Sequence, residues 1–180
     1  MLDKPLLLRH PYHNDNRGEF GKIFSKVSNI VEGLPEFQIK EINYSKTMLK
    51  NSIRGFHIQL GSYNEAKLVK CIQGKIYDVV VDLRKNSDTF LKSTSFQLNA
   101  NANELLFIPH GYAHGFQTIE NETILTYFHD NYYNKSSEFS IRYDDPMIEV
   151  SWPYVPSNIS EKDLATRLLN PDFKGFEFEM

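Results

Sequence analysis

Apolar and polar residues alternate along most of this chain with a period of two, the spacing of a strand with one buried face. Residues 37–44, 52–59, 67–72, 76–83, 94–98, 104–108, 115–119 and 123–129 each read as strands. Polar or glycine turns separate them, most clearly at Gly74-Lys75 and over 99–103. Upstream, Leu6-Leu7-Leu8 predicts an N-terminal strand and 20–24 predicts another; Asp15-Asn16-Arg17-Gly18 reads as a turn, and His10 and His13 fall in a polar loop. Helix is predicted only at 27–34, ended near Gly33, and at 164–169, led in by Ser160-Glu161-Lys162-Asp163. In the strand at 76–83, Tyr77, Val79, Val81 and Leu83 share one face, and Asp78, Val80 and Asp82 the other. Many short strands with little helical periodicity predict an all-β sandwich or barrel. No repeat or linker divides the sequence, so it reads as a single domain over 1–180 with a short C-terminal helical tail.

Composition narrows the class. The 180 residues are 41% hydrophobic and 13% aromatic, enough for a sizeable core and rich in the Phe and Tyr that strands favour. The formal net charge of -3 and the lack of a basic run argue against nucleic acid as a partner. Cys71 is the only cysteine, so no internal disulfide forms, and it is expected to sit inert in a strand. No stretch reads as a signal peptide or a bilayer span; the cytoplasm is the expected location, with no membrane partner.

The candidate chemistry centres on 52–74, SIRGFHIQLGSYNEAKLVKCIQG. His57 and Gln59 share a strand face, as do Glu65, Lys67 and Val69. Arg54 lies three before His57, so both reach one cavity only if the strand kinks at Gly55. A second stretch, IPHGYAHGF, spaces Pro109, Gly111 and His114 as P-x-G-x-x-H, a turn followed by a strand histidine. With Gly55, His57 and Gly74 it resembles the two-part signature of cupins, small jelly-roll barrels (double-stranded β-helices) with an internal site. Many cupins hold a metal through H-x-H, a later Glu and the second-motif His. Here the first motif reads His57-Ile58-Gln59, and Lys67 shares the face of Glu65. An ammonium repels a divalent cation, and two imidazoles are a thin ligand set. The reading is a barrel doing acid–base chemistry, with no metal and no cofactor. A metal-dependent cupin built on His57, Glu65 and His114 is the second enzyme class, and a non-catalytic binder or scaffold that kept the barrel is the third.

Taken in order, DNRGEF, NYSK, SIRGFHIQ, AKLVKCIQGKIYDVVVDLRKNSDTF, FIPHGYAHGF, NYYNKSSEFSIRYDDPMIEVSWP and SEKD resemble the dTDP-4-dehydrorhamnose 3,5-epimerase family from about Asp15 to Asp163. The resemblance implies a cupin-type barrel, a homodimer, and an isomerase that inverts C3 and C5 of a nucleotide-linked 4-keto-6-deoxy sugar without a metal or redox cofactor. It makes His57 the base, paired with Asp163, and Tyr127 the proton donor, with Lys67 and Arg54 or His114 at the enolate oxygen. His57 also has a case of its own, because imidazole titrates near neutral pH. Asp163, Tyr127 and Lys67 each have a structural reading beside the catalytic one. Asp163 completes a capping box, Tyr127 is one aromatic among 10 tyrosines, and Lys67 is a snorkelling lysine. Asp78 either orients a histidine or lies on a polar strand face. For the nucleotide end, the resemblance implies Arg17, Phe20, Asn43, Arg54, Gln59, His114, Glu138 and Lys162, with Tyr133 stacking on the thymine. At two further positions of that set the chain departs from the family, with Lys22 for a glutamate and Glu41 for a glutamine. Both changes alter charge and motivate a CDP- or GDP-linked substrate, or a mono-epimerase, as the alternative.

Overall fold

A computed structural model describes residues 3–25 and 37–178. The strands in chain order are β1 (Leu6–Arg9), β2 (Tyr12–Asp15), β3 (Gly18–Gly21), β4 (Glu41–Thr47), β5 (Ser52–Gln59), β6 (Lys67–Gln73), β7 (Lys75–Asp82), β8 (Ser93–Asn99), β9 (Glu104–Ile108), β10 (Tyr112–Thr118), β11 (Thr123–His129), β12 (Glu138–Ser140) and β13 (Asn158–Ile159). One helix, α1 (Glu161–Leu164), follows. One antiparallel sheet runs β1-β9-β6-β11-β4. The other runs β12-β5-β10-β7-β8, with β13 added parallel to β5, and β2 and β3 form a separate hairpin. The two large sheets face each other as a jelly-roll barrel. Among the described residues, no helix is long and apolar enough to cross a membrane.

Alternation explains the core between the sheets. Val69, Cys71, Leu106, Ile108 and Leu125 from the first sheet meet Ile76, Val80, Leu98 and Phe116 from the second. The outer face of the second sheet is also covered: Phe56, Ile58, Val79, Val81 and Leu83 pack beneath Trp152, Phe173, Phe176 and Phe178. This is why β7 reads as a nearly continuous apolar run, as strands buried on both faces do. Asp78 and Asp82 are fully buried in it and do not form a solvent-facing polar side. Cys71 is buried, and burial pushes its thiol up to about 11, as expected of an inert cysteine.

The expected strands over 52–129 are present, with ends moved by a few residues. β10 starts earlier than the sequence pattern suggests, because Tyr112, Ala113 and His114 already pair with Asp82, Val81 and Val80. β4 runs later, over Glu41–Thr47, while Phe37 and Ile39 pack outside the first sheet. The expected strand at 20–24 ends at Gly21, where its partner begins at Tyr12, and Ile23 and Phe24 turn onto the outer cluster. The expected helix at 27–34 lies outside the described residues. The tail helix is a single turn ending at Leu164 and does not continue over 164–169. Asp145 Oδ2 accepts from Leu169 N at 2.6 Å, and the extended chain beyond lays its phenylalanines on the sheet.

One irregularity positions the site. On β5 the pairing with β10 slips between His57, opposite His114, and Arg54, opposite Phe116, so β5 carries one extra residue as a bulge. Gly55 has φ +119, and a Cβ there would lie 2.6 Å from Gly115 Cα and 2.8 Å from the His114 carbonyl oxygen. Gly55→Ala is therefore expected to destabilise the fold by at least about 2 kcal/mol, through backbone strain and overpacking. That corresponds to a drop in Tm of roughly 4–8 °C for a chain of this size. Thermal melting by circular dichroism measures it, and an unchanged Tm contradicts this account of the bulge.

Candidate active site

A cavity of about 750 Å³ opens between the sheets. The β5 bulge lets Arg54 and His57 both line it, despite their odd spacing. His57 Nε2 lies 2.8 Å from Asp163 Oδ1. When Nε2–H donates to the carboxylate, Nδ1 keeps the lone pair. Asp163 comes from far along the chain: β13 pairs with Ser52 and Ile53 of β5 and delivers α1 to the site. Ser160 is the N-cap of α1, its hydroxyl accepting from Asp163 N at 3.1 Å, so the same residue whose amide is capped pairs through its side chain with His57. The bulge also turns the Gly55 amide toward Asp163 Oδ2, 3.4 Å away. Burial would raise the Asp163 carboxyl, but the His57 hydrogen bond and charge, with the Gly55 and Ser160 contacts, outweigh it and hold it below the usual carboxylate range.

The facing wall comes from β4, β6 and β11. Tyr127 on β11 places its hydroxyl 3.1 Å from Ser45 Oγ, and its ring lies edge-on to His114 at 6.2 Å. Burial pushes the phenol well above its ordinary value, with the Ser45 hydrogen bond a smaller opposing effect, so it is a neutral acid at physiological pH. His57 and Tyr127 thus belong to different sheets, with the cavity between them. Lys67 on β6 pairs with Glu65 at 3.1 Å, and Glu65 also accepts from His129 at 2.8 Å. Burial would raise Glu65; the Lys67 ammonium and the His129 contact hold it below the carboxylate range. His114 donates to Asp78 at 2.7 Å, so Asp78 orients a histidine. Of the three residues considered as a metal set, His57 pairs with Asp163, His114 with Asp78, and Glu65 with Lys67 and His129. Among the described residues, no group of three or more His, Cys, Asp or Glu is placed to hold a metal ion.

At the mouth, Asn43, Tyr133 and Lys162 line the cavity, while Glu41 and Glu138 stand behind them. Glu41 accepts from Asn43 Nδ2 at 2.6 Å and from Tyr133 N at 3.0 Å. Glu138 accepts from the Tyr133 hydroxyl at 3.1 Å and pairs with the Lys162 ammonium. Gln59 is not on the cavity wall with His57. Its amide accepts from Asn134 N at 2.5 Å and donates to the Tyr132 carbonyl at 3.0 Å, fixing the loop that carries Tyr133. Arg17, Phe20 and Lys22 do not reach this cavity within one chain. Arg17 pairs with its neighbour Asp15 at 2.6 Å on the β2–β3 hairpin, and Phe20 there is 71% exposed. Lys22 directly follows the hairpin. Ser45 and His129 line the cavity without having been singled out from the sequence. The signal was parity: Ser45 is two from Asn43, and His129 two from Tyr127.

The family model for dTDP-4-dehydrorhamnose 3,5-epimerase matches residues 1–171. The dTDP-4-dehydrorhamnose 3,5-epimerase of Shigella flexneri is 36% identical over 160 residues, covering 88% of this chain and 87% of the relative. The enzyme of the same name from Salmonella typhimurium is 42% identical over 129 residues, 71% of this chain and 70% of that one. Among solved structures, the dTDP-4-dehydrorhamnose 3,5-epimerase of Bacillus anthracis, with TDP and PPi bound, superposes with a TM-score of 0.87 at 33% identity, covering 92% of this chain and 94% of its own.

The depressed Asp163 carboxyl sets a pH dependence. A group whose folded-state value lies below its unfolded one adds stability that is complete above the ordinary value, here 3.8, and is lost as pH falls through the folded value. The stability gap between wild type and Asp163→Asn is therefore expected to be largest at neutral pH and to shrink below 3.8. Urea midpoints measured across that range check it; a gap that stays constant with pH contradicts the pairing.

Proposed function

The chain belongs to the dTDP-4-dehydrorhamnose 3,5-epimerase family, and we propose that it converts dTDP-4-dehydro-6-deoxy-D-glucose into dTDP-4-dehydro-L-rhamnose by inverting C3 and C5. The observation that carries this reading is the His57–Asp163 pair facing Tyr127 across one cavity. The C4 ketone acidifies the hydrogens on both neighbouring carbons. His57 takes one, the C–H electrons move into a C=C bond, and the carbonyl oxygen becomes an enolate. Asp163 favours the imidazolium that forms. Lys67, with Arg54 or His114, donates to the enolate oxygen; such a donor is typically worth about 10²–10³-fold. Tyr127 then returns a proton from the opposite wall, forming the new C–H bond with inverted configuration. Its phenolate is reprotonated by solvent, and His57 loses its proton there. No step calls for a redox change.

For the nucleotide end, we propose that Tyr133 stacks on the base and that Arg54 and Lys162 face the diphosphate, as cations suited to phosphate oxygens. Glu41, in place of the family's glutamine, supports Tyr133 and Asn43 from behind by accepting from both. We also propose a homodimer. Arg17 and Phe20 sit on an exposed hairpin away from their own cavity, and β4 is a sheet edge with Ile42 and Tyr44 exposed. A second copy brings such a hairpin to the neighbouring site. Sedimentation is expected to give about twice the chain's 21.0 kDa.

The chemistry is tested in D₂O with dTDP-4-dehydro-6-deoxy-D-glucose, following C3 and C5 by NMR and mass spectrometry. Deuterium is expected at both carbons, with inversion. His57→Ala is expected to lose about 10²–10⁴-fold in exchange and turnover together. Tyr127→Phe is expected to keep exchange but lose inversion, since the base remains and the opposing acid is gone. Exchange at one carbon only makes the protein a mono-epimerase, and full exchange by His57→Ala overturns the assignment.

A further inference from the structure

Outside the His57–Asp163 pair, three titratable groups meet on the wall made by β6 and β11. Glu65, just before β6, is 8% exposed and does not line the cavity. Its Oε1 lies 3.1 Å from Lys67 Nζ and its Oε2 2.8 Å from His129 Nδ1. Lys67 and His129 do line the cavity, and they are register partners across β6 and β11. The His129 ring stacks on Tyr127 with centroids 6.1 Å apart, and its Nε2 is buried without a partner. Glu41, paired with His129 across β4 and β11, is a further charged group near this wall.

We propose that Glu65 and His129 are positioning residues for Lys67: together they fix where its ammonium points without tying up its donors. This rests on Lys67 acting at the enolate oxygen. A lysine on a flexible stem is poorly directed on its own. One carboxylate oxygen supplies both direction and counter-charge. An ammonium has three N–H groups; Glu65 takes one and leaves two for the cavity. His129 occupies the second carboxylate oxygen. Glu65 is thereby held to a single contact with Lys67, and its carboxylate is fixed in rotation. The His129 ring in turn packs against Tyr127, so one assembly holds the proposed oxyanion donor and lies against the proposed acid.

The test compares Glu65→Gln, His129→Phe and His129→Gln with wild type in the D₂O assay, after thermal melts establish folding. Glu65→Gln is expected to lower kcat by about 10- to 100-fold, as a misdirected group does, while KM for the nucleotide sugar stays within about twofold, because the nucleotide contacts are untouched. His129→Phe keeps the stacking and loses the donor, and is expected to slow turnover; His129→Gln restores a donor and is expected to recover it. Unchanged kcat in Glu65→Gln, or a rise in KM alone, overturns the proposal. So does equal impairment of the two His129 variants, which decide the matter even if Glu65→Gln fails to fold. Wild type that exchanges neither carbon sinks the epimerase reading itself, a result separable from all of these.

Discussion

A strand turns successive side chains to opposite faces, so two residues three apart cannot both look into one cavity unless the ladder is broken between them. Gly55 makes that break. The extra residue on β5 brings Arg54 and His57 to the same side, and the same turn of the backbone aims an amide at Asp163. The close approach to Gly115 leaves no room for a Cβ. Geometry of the proposed base, hydrogen bonding of its partner and packing of the barrel wall therefore depend on the same few backbone atoms.

The cavity's charges follow from that scaffold. Ionisable groups placed between two sheets lose water and need compensation. Four of them have a carboxylate partner: Asp163 for His57, Asp78 for His114, Glu65 for Lys67 and Glu138 for Lys162. The carboxylates Asp78, Glu65 and Glu138 stand off the lining; Asp163 shares it with imidazoles, ammoniums, a guanidinium, amides and hydroxyls. Such a lining suits an anionic sugar nucleotide and a developing oxyanion alike. It also explains how Glu41 fits a nucleotide site. Its charge is directed at Asn43 and the Tyr133 amide, leaving the cavity wall to Tyr133 and Asn43 themselves.

Much of this was legible in the sequence where alternation is clean. The strands from 52 to 129 follow their apolar spacing, and the need for a kink at Gly55 follows from the positions of Arg54 and His57. From its residues alone Asp163 read as part of a capping box; in the fold Ser160 caps its amide while its carboxylate pairs with His57. Other features escaped for physical reasons. Strand β2 is exposed along its whole length, so no apolar rhythm marks the β2–β3 hairpin. Gln59 has the parity of His57, yet the backbone of 132–134 claims its amide, which only tertiary structure reveals. The tail beyond Leu164 carries leucines at helical spacing, but the outer face of the second sheet needs covering, and an extended chain covers it. His129 stood two from Tyr127 and was passed over because its partner Glu65 is 64 residues away.

The separation between His57 and Asp163 is 106 residues. During synthesis, every strand of the two facing sheets through β12 leaves the ribosome before the segment that carries the carboxylate. A nascent barrel can close around its core while its proposed base still lacks an orienting partner. Only when β13 docks beside β5 and α1 forms does the imidazole acquire a fixed tautomer. The oriented His57–Asp163 pair is thus among the last features the growing polypeptide gains, and an unfinished chain holds the imidazole beside the cavity without its carboxylate.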